Sequence, residues 1–336
     1  MIPAVSSLAY DAARHRSAFI DRSHRGRIVV SGADRASYLQ GLLTNDIVAL
    51  KAEKGCYAAY LTAQGRMIAD MYVYELGDVI LLTLAGRVKD TVLAKLDQFV
   101  FSEDVQLGDV TDTFAQIGIV GPDAAGVVAR LVTGTSVETL AALPEHGNTR
   151  SGAIVTRVTD GGEPGFDVYV ERAQASAFVA AVADAGAVRL DDETAEALRI
   201  ESGVPQFGRD MDEETIPLEA GIEGRAISFT KGCYVGQEII IRVMHRGHGR
   251  VARKLVGLVL SGDQVPSSGA VVRVADREIG HVTSGTWSPR MSRPIALGYV
   301  HRDFVDPGTS VSVGSVSADV AALPFTRETG HTRRPA

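Results

Sequence analysis

From Lys254 onward the sequence breaks into short β-type segments at close spacing, over 255–260, 270–274, 277–287, 295–300 and 310–318, with Gly and Pro turns between them. No helical period intervenes. Strands this short and this close cannot be joined by helical crossovers, so they must pair with their neighbours, and a small closed barrel is the compact way to satisfy their edges. A barrel of that size is a domain by itself. The rest of the 336 residues therefore needs cores of its own.

The N-terminal two-thirds follow a different pattern. A strand over 27–31 runs through Gly32-Ala33-Asp34 into a helix over 36–43, where Tyr38, Leu39, Leu42 and Leu43 recur at helical spacing and Asp34 stands at the N-cap position. Strand-like runs over 55–62 and 66–75 flank Ala63-Gln64-Gly65, which reads as a hairpin turn. A strand over 79–84, a helix over 88–99 and a strand over 105–109 complete a β-β-β-α-β block. Beyond it come a strand over 114–120 and a helix over 124–131 opened by Gly121-Pro122-Asp123. Strands over 153–158 and 165–170 and a helix over 172–185 follow. Strand and helix alternate without a βαβ rhythm, which excludes a doubly wound sheet. The expectation is an α+β chain of three domains: a discontinuous α/β domain over 1–46 and 112–245, an inserted domain over 47–111, and a C-terminal barrel over 246–325. A frayed tail covers 326–336.

Composition narrows the function. Apolar residues make up 45% and charged residues 22%, ordinary values for a globular protein, and the formal charge of −7 argues against a broad nucleic-acid surface. Two cysteines, Cys56 and Cys233, stand far apart without a metal-ligand spacing, so neither a disulfide framework nor a structural metal site is expected. Charged residues interrupt the first 21 positions, and no apolar run approaches the ~20 residues of a membrane span. A cytoplasmic protein is expected, with no membrane partner.

The densest concentration of chemistry is Lys231-Gly232-Cys233-Tyr234-Val235-Gly236-Gln237-Glu238. Lys231 and Cys233 would share a face in extended backbone, and a helix from about 236 would place Cys233 before its positive end, both favouring a thiolate. Against this, a free cysteine is more often a small buried hydrophobe, and the run 239–241 also reads as a buried strand. For Cys56, flanked by Tyr57, Ala58 and Ala59, the buried reading is preferred.

This octet resembles the signature of the YgfZ branch of the glycine-cleavage T-protein superfamily and matches it at every fixed position. Leu198 to Pro205 is similar to the Arg-x-Glu-x-Gly segment of that superfamily, Ile216-Pro217-Leu218-Glu219-Ala220 to the approach to the octet, and Gln40 to Asp46 to its opening. The resemblance implies a three-domain T-protein-like ring with tetrahydrofolate, or a one-carbon derivative, in its central hole. It makes Glu201 the pterin ligand, since one carboxylate can accept the adjacent N–H groups of a pterin edge. It places Tyr234, Gln237 and Glu238 beside the folate and Cys233 and Lys231 in the catalytic role. Asp70 is similar in position to the catalytic Asp of the aminomethyltransferases, although those enzymes usually carry two adjacent acids and this chain has Ala69. Arg242, Arg246 and Arg250 lie in the densest cationic stretch, which reads either as a solvated linker or as a steering loop for the acidic folate tail. His245 and His248, in a Gly-rich loop without a companion ligand, do not make a metal site.

The leading functional expectation is then a tetrahydrofolate-binding accessory protein that uses Cys233 to support iron–sulfur assembly or repair in client proteins. Two alternatives stand beside it: a folate-dependent aminomethyltransferase centred on Asp70, and a folate-independent thiol enzyme with Cys233 as nucleophile.

Overall fold

The computed structural model describes residues 5–159, 161–245 and 249–325. Two sheets and a barrel organise the chain. The first sheet has six strands in the order Val188–Arg189, Ala18–Asp21, Phe114–Val120, Gly165–Glu171, Ala153–Val158 and Asn148–Ser151. Its central strands alternate in a way that gives each face a different character. Ala115, Ile117, Ile119, Val155, Phe166 and Val168 pack with the helices Ala124–Leu131 and Ala175–Asp184 in one apolar core. Their neighbours Gln116, Thr156 and Asp167 are buried as well, on the opposite face. Tyr169, from that face, joins the core of the second sheet.

The second sheet runs Lys54–Leu61, Met67–Glu75, Ile80–Leu84, Gly26–Ser31, Gln106–Asp109, all neighbours antiparallel. Strand Gly26–Ser31 pairs on both sides within this sheet, so by hydrogen bonding the expected insertion begins near residue 26 and not at 47. The chain crosses between the sheets twice, over 22–25 and 110–113, and Arg27 joins the crossings. Its guanidinium, fully buried, donates to the carbonyl oxygens of Ser23, Thr111 and Phe114 and to Gln116 Oε1. The segment after residue 205, expected with the first sheet, instead lays Phe207, Met211, Leu218, Ile222, Tyr234 and Ile240 into the second sheet's core.

The C-terminal strands close into a six-stranded barrel, in the order Arg253–Leu260, Arg293–His301, Arg277–Ser288, Val271–Val274, Ser310–Val313, Val316–Ala321. The expected single strand over 310–318 is two, because Gly314 at φ +58° turns the chain between them. Val256, Leu258, Val272, Val282, Ala296 and Val300 fill the barrel. Its outer face meets the helix Asp192–Glu201, where Ile200 packs with Leu255, Ile295, Leu297, Tyr299 and Phe325.

Two N-terminal elements were not legible as such in the sequence: the helix Ser7–His15, capped by Ser6 Oγ accepting from the Ala9 N–H, and the short strand Ala18–Asp21. Asp34 does stand at the N-cap of Arg35–Leu42, but its carboxylate accepts from the Asp104 N–H instead of the helix. Among the described residues no helix is long and apolar enough to cross a membrane. The expected frayed tail, like Arg246 and His248, lies outside the described residues.

Candidate functional site

A cavity of about 550 Å³ opens where the two sheets meet, a size typical of small-molecule sites. Residues far apart in the sequence line it. The crossover contributes Arg22, His24 and Arg25; the second sheet contributes Tyr57, Asp70, Tyr72 and the turn Ala85 to Arg87. The helix Asp192–Glu201 contributes Asp192, Ala195, Glu196 and Arg199, the loop after it Val204 to Arg209, and a last turn Ile222 and Arg225. No barrel residue belongs to the lining.

Strand geometry explains the floor. Asp70 and Tyr72, two apart, project to the same face of Met67–Glu75, and the register sets Tyr57 opposite Tyr72, so Tyr57 lies diagonal to Asp70. The Tyr57 hydroxyl donates to Asp70 Oδ2 at 2.6 Å, and the two tyrosine rings sit 5.3 Å apart, tilted by 44°. Burial, and then the Asp70 carboxylate, push the Tyr57 phenol well above its usual range, so it remains a donor to that carboxylate. Ala69 is fully buried on the opposite face, in the sheet's core. An acid at this position in this chain would face hydrocarbon.

Arginines form the walls. Six of them, Arg22, Arg25, Arg87, Arg199, Arg209 and Arg225, stand against Asp70, Asp192 and Glu196. Arg25 lies over the Tyr72 ring at 5.5 Å, Arg87 over Phe207 at 5.5 Å and Arg225 over Tyr57 at 5.3 Å. Glu196 takes two hydrogen bonds from Arg199, at 2.6 and 2.8 Å, and pairs with Arg209 at 3.0 Å. Burial works against the Glu196 charge, but Arg199 and then Arg209 outweigh it and hold this carboxyl below the usual range. His24 is pulled down by burial and by neighbouring Arg25. The site is therefore a cationic, aromatic-floored cleft with fixed carboxylates.

Family profiles match both parts of this architecture: one described as the GCVT N-terminal domain over residues 5–231, and one described as the glycine cleavage T-protein C-terminal barrel domain over residues 253–326. The chain belongs to the glycine cleavage T-protein family. An aminomethyltransferase of Rubrobacter xylanophilus is 33% identical over 95% of this chain and 85% of its own length. One of Streptomyces avermitilis is 31% identical over 94% of this chain and 88% of its own. Among solved structures, glycine cleavage system aminomethyltransferase T from Bartonella henselae superposes with a TM-score of 0.84 at 24% identity, covering 95% of this chain and 89% of that one, a likeness of fold.

These relatives overturn the leading expectation drawn from the sequence. Proteins similar along nearly the whole T-protein chain carry the name aminomethyltransferase, so the accessory role in iron–sulfur assembly is set aside in favour of the aminomethyltransferase alternative. The T-protein superfamily stands as inferred; the narrower YgfZ assignment rests on the octet alone.

The structure also redistributes the site residues. Of those singled out in the sequence, Asp70 lines the cavity. Glu201 does not: five residues beyond Glu196, it is turned about 140° around the helix. There it is fully buried, accepting from Tyr10 Oη at 2.7 Å, Arg14 Nη2 at 2.6 Å, Ser288 Oγ and the Arg290 N–H at 3.2 Å. Cys233 is exposed and lies outside the lining. Lys231 turns inward, away from it, and donates to the carbonyl oxygens of Gln40 at 2.6 Å, Leu43 at 2.6 Å and Asn45 at 2.9 Å. Burial lowers this amine to about 8, and the thiol that it influences is Cys56, whose own burial raises it to about 12. Tyr234 is buried with its ring 5.2 Å from the Lys231 amine. Gln237, Glu238 and Arg242 line a separate depression on the helix Gln237–His245, and Arg250 is exposed elsewhere. The run 239–241 is helical, not a strand.

Sequence reasoning missed Arg22, Arg25, Tyr72, Arg87, Glu196, Phe207, Arg209 and Arg225. One signal was available: Glu196 and Arg199, at i and i+3, share a helix face that Glu201 does not.

Proposed function

We propose that this T-protein binds tetrahydrofolate in the cavity between the sheets and catalyses one-carbon transfer to it from an aminomethyl donor. The balanced reaction takes X–CH2–NH2 and tetrahydrofolate to methylene-tetrahydrofolate, ammonia and X–H. The observation that carries this reading is the Asp70 carboxylate, fixed by Tyr57 on the floor of a cleft walled by arginines.

Each part of a folate finds a matching group. The tyrosine faces and Phe207 suit a flat pteridine and its aryl ring. The carboxylates of Asp70 and Glu196, whose oxygens can take further hydrogen bonds beside those from Tyr57 and Arg199, suit the pterin N–H groups and the amine that leaves as ammonia. The surrounding arginines suit the glutamate carboxylates, which they can bind in forked pairs. The cavity volume is within the range that encloses ligands of this size. The names of the relatives support the same reaction class.

The test is calorimetric titration with tetrahydrofolate, followed by assay of methylene-tetrahydrofolate from an aminomethyl donor. Asp70→Asn should retain folding and lower turnover by on the order of 10²-fold or more, the range of a positioned acid or base. Absence of tetrahydrofolate binding by the wild type, or an Asp70→Asn variant of full activity, would remove this function.

A further inference from the structure

We propose that the barrel sets the shape of the cavity it does not line, through Asp210 acting as a positioning residue; this rests on the folate reading only for its ligand arm. Asp210 is 2% exposed and accepts on both oxygens. Its Oδ1 takes the hydroxyls of Thr283 at 2.5 Å and Ser284 at 2.7 Å, both from the barrel strand Arg277–Ser288. Its Oδ2 takes Arg199 Nη1 at 2.7 Å and the Gln206 N–H at 3.1 Å. Ser284 Oγ also accepts from Arg199 Nη2 at 2.9 Å. One carboxylate thus joins two barrel hydroxyls to a cavity arginine and to the loop that forms the cavity wall.

Consecutive residues of a regular strand point to opposite faces, so Thr283 and Ser284 could not ordinarily reach one oxygen. A bulge resolves this. Val282 is opposite Gly298 and Ser284 opposite Leu297, leaving Thr283 as the extra residue, and an insertion of this kind re-aims a side chain. On the other side, the turn from Gln206 to Met211 is wound tightly, with the Asp210 and Met211 N–H groups both donating to the Gln206 carbonyl. Asp210 closes that turn and fixes Arg199 against Glu196 in the same contact. Moving the barrel strand would therefore move the wall without touching the ligand.

The test compares Thr283→Val, which keeps shape and removes the hydroxyl, with Thr283→Ser, which restores it, and adds Ser284→Ala and Arg199→Lys. In hydrogen exchange of the full-length protein without ligand, Thr283→Val with Ser284→Ala should speed the amides of 206–211, and Thr283→Ser should not. In the tetrahydrofolate assay the same pair should raise KM roughly tenfold, the loss of a charge-assisted hydrogen bond, at unchanged kcat. In an Arg199→Lys background the further rise should vanish, because the relay is already cut. Unchanged exchange at 206–211, a fall in kcat with KM preserved, or independent additive effects would overturn the relay. Should exchange respond while the wild type binds no tetrahydrofolate, the folate reading fails and the relay stands.

Discussion

Glu201 gives the sharpest separation between a ligand group and a structural one. The substitution Glu201→Gln keeps shape and exchanges one acceptor oxygen for an amide nitrogen. Each carboxylate oxygen now accepts from two donors, Tyr10 and Arg14 on one, Ser288 and the Arg290 N–H on the other. The hydroxyls of Tyr10 and Ser288 can rotate to accept instead. The Arg14 guanidinium and the Arg290 N–H cannot, so either orientation of the amide faces one donor that has no alternative role. Arg14, nearly as buried, also loses its main counter-charge, retaining Glu163 at 3.1 Å. Removing one member of a buried pair costs about 3–5 kcal/mol, and the remaining Glu163 contact argues for the lower end, about 3 kcal/mol. Trp287, the sole tryptophan, neighbours Ser288 and reports this junction directly. In urea, followed by its fluorescence, unfolding free energy should fall by about that amount at unchanged slope, while tetrahydrofolate affinity stays within twofold. A loss below about 1 kcal/mol, or a large loss of affinity at unchanged stability, would refute the assignment and return Glu201 to the ligand.

Alkylation at pH 9 should modify Cys233 and spare Cys56 until urea is added, read by intact mass, because Cys233 is exposed while burial raises the Cys56 thiol to about 12; equal labelling would contradict it. Glu196, with its folded-state pKa depressed below 4.5, contributes stability that is present above the unfolded value and lost as pH falls through the folded one. Wild-type stability should therefore decline on acidification below about pH 4.5 more steeply than that of Glu196→Gln in parallel urea titrations, and identical slopes would deny the Arg199 pairing.

The elements were largely legible because each carries its own period. The strand over 114–120 and the helix over 124–131 occur with the bounds that the apolar pattern gives, and the barrel follows from turn spacing alone. Sheet membership was not legible. Gly26–Ser31 looks the same whether it pairs with Ile80–Leu84 or with a strand of the other sheet, and only long-range packing decides. The cavity was legible at one residue, Asp70. Its other walls are single arginines and aromatics from separate stretches, each with an unremarkable local role. Arg87 follows a strand and Arg225 lies within the short helix Glu223–Ala226, and nothing in their neighbourhoods announces that they converge.

The octet from Lys231 to Glu238 shows the opposite case, in which conspicuous composition has a packing cause. Its amine closes the loop 40–45 by gathering three carbonyl oxygens that would otherwise be short of donors. The Val235 N–H adds a bond to the Gly41 carbonyl at 3.2 Å. Gly236 adopts φ +85°, and a Cβ there would come within 2.5 Å of the Thr62 carbonyl oxygen, so only glycine lets the segment lie against the hairpin turn. Tyr234 fills the core beneath, and Gln237 begins the helix. That turn joins Lys54–Leu61 to Met67–Glu75, the strands that carry Tyr57 and Asp70. The octet therefore serves the site at a distance, by holding the far end of the hairpin whose face is the cavity floor, and its lysine, glycine and aromatic are explained without asking the thiol to react.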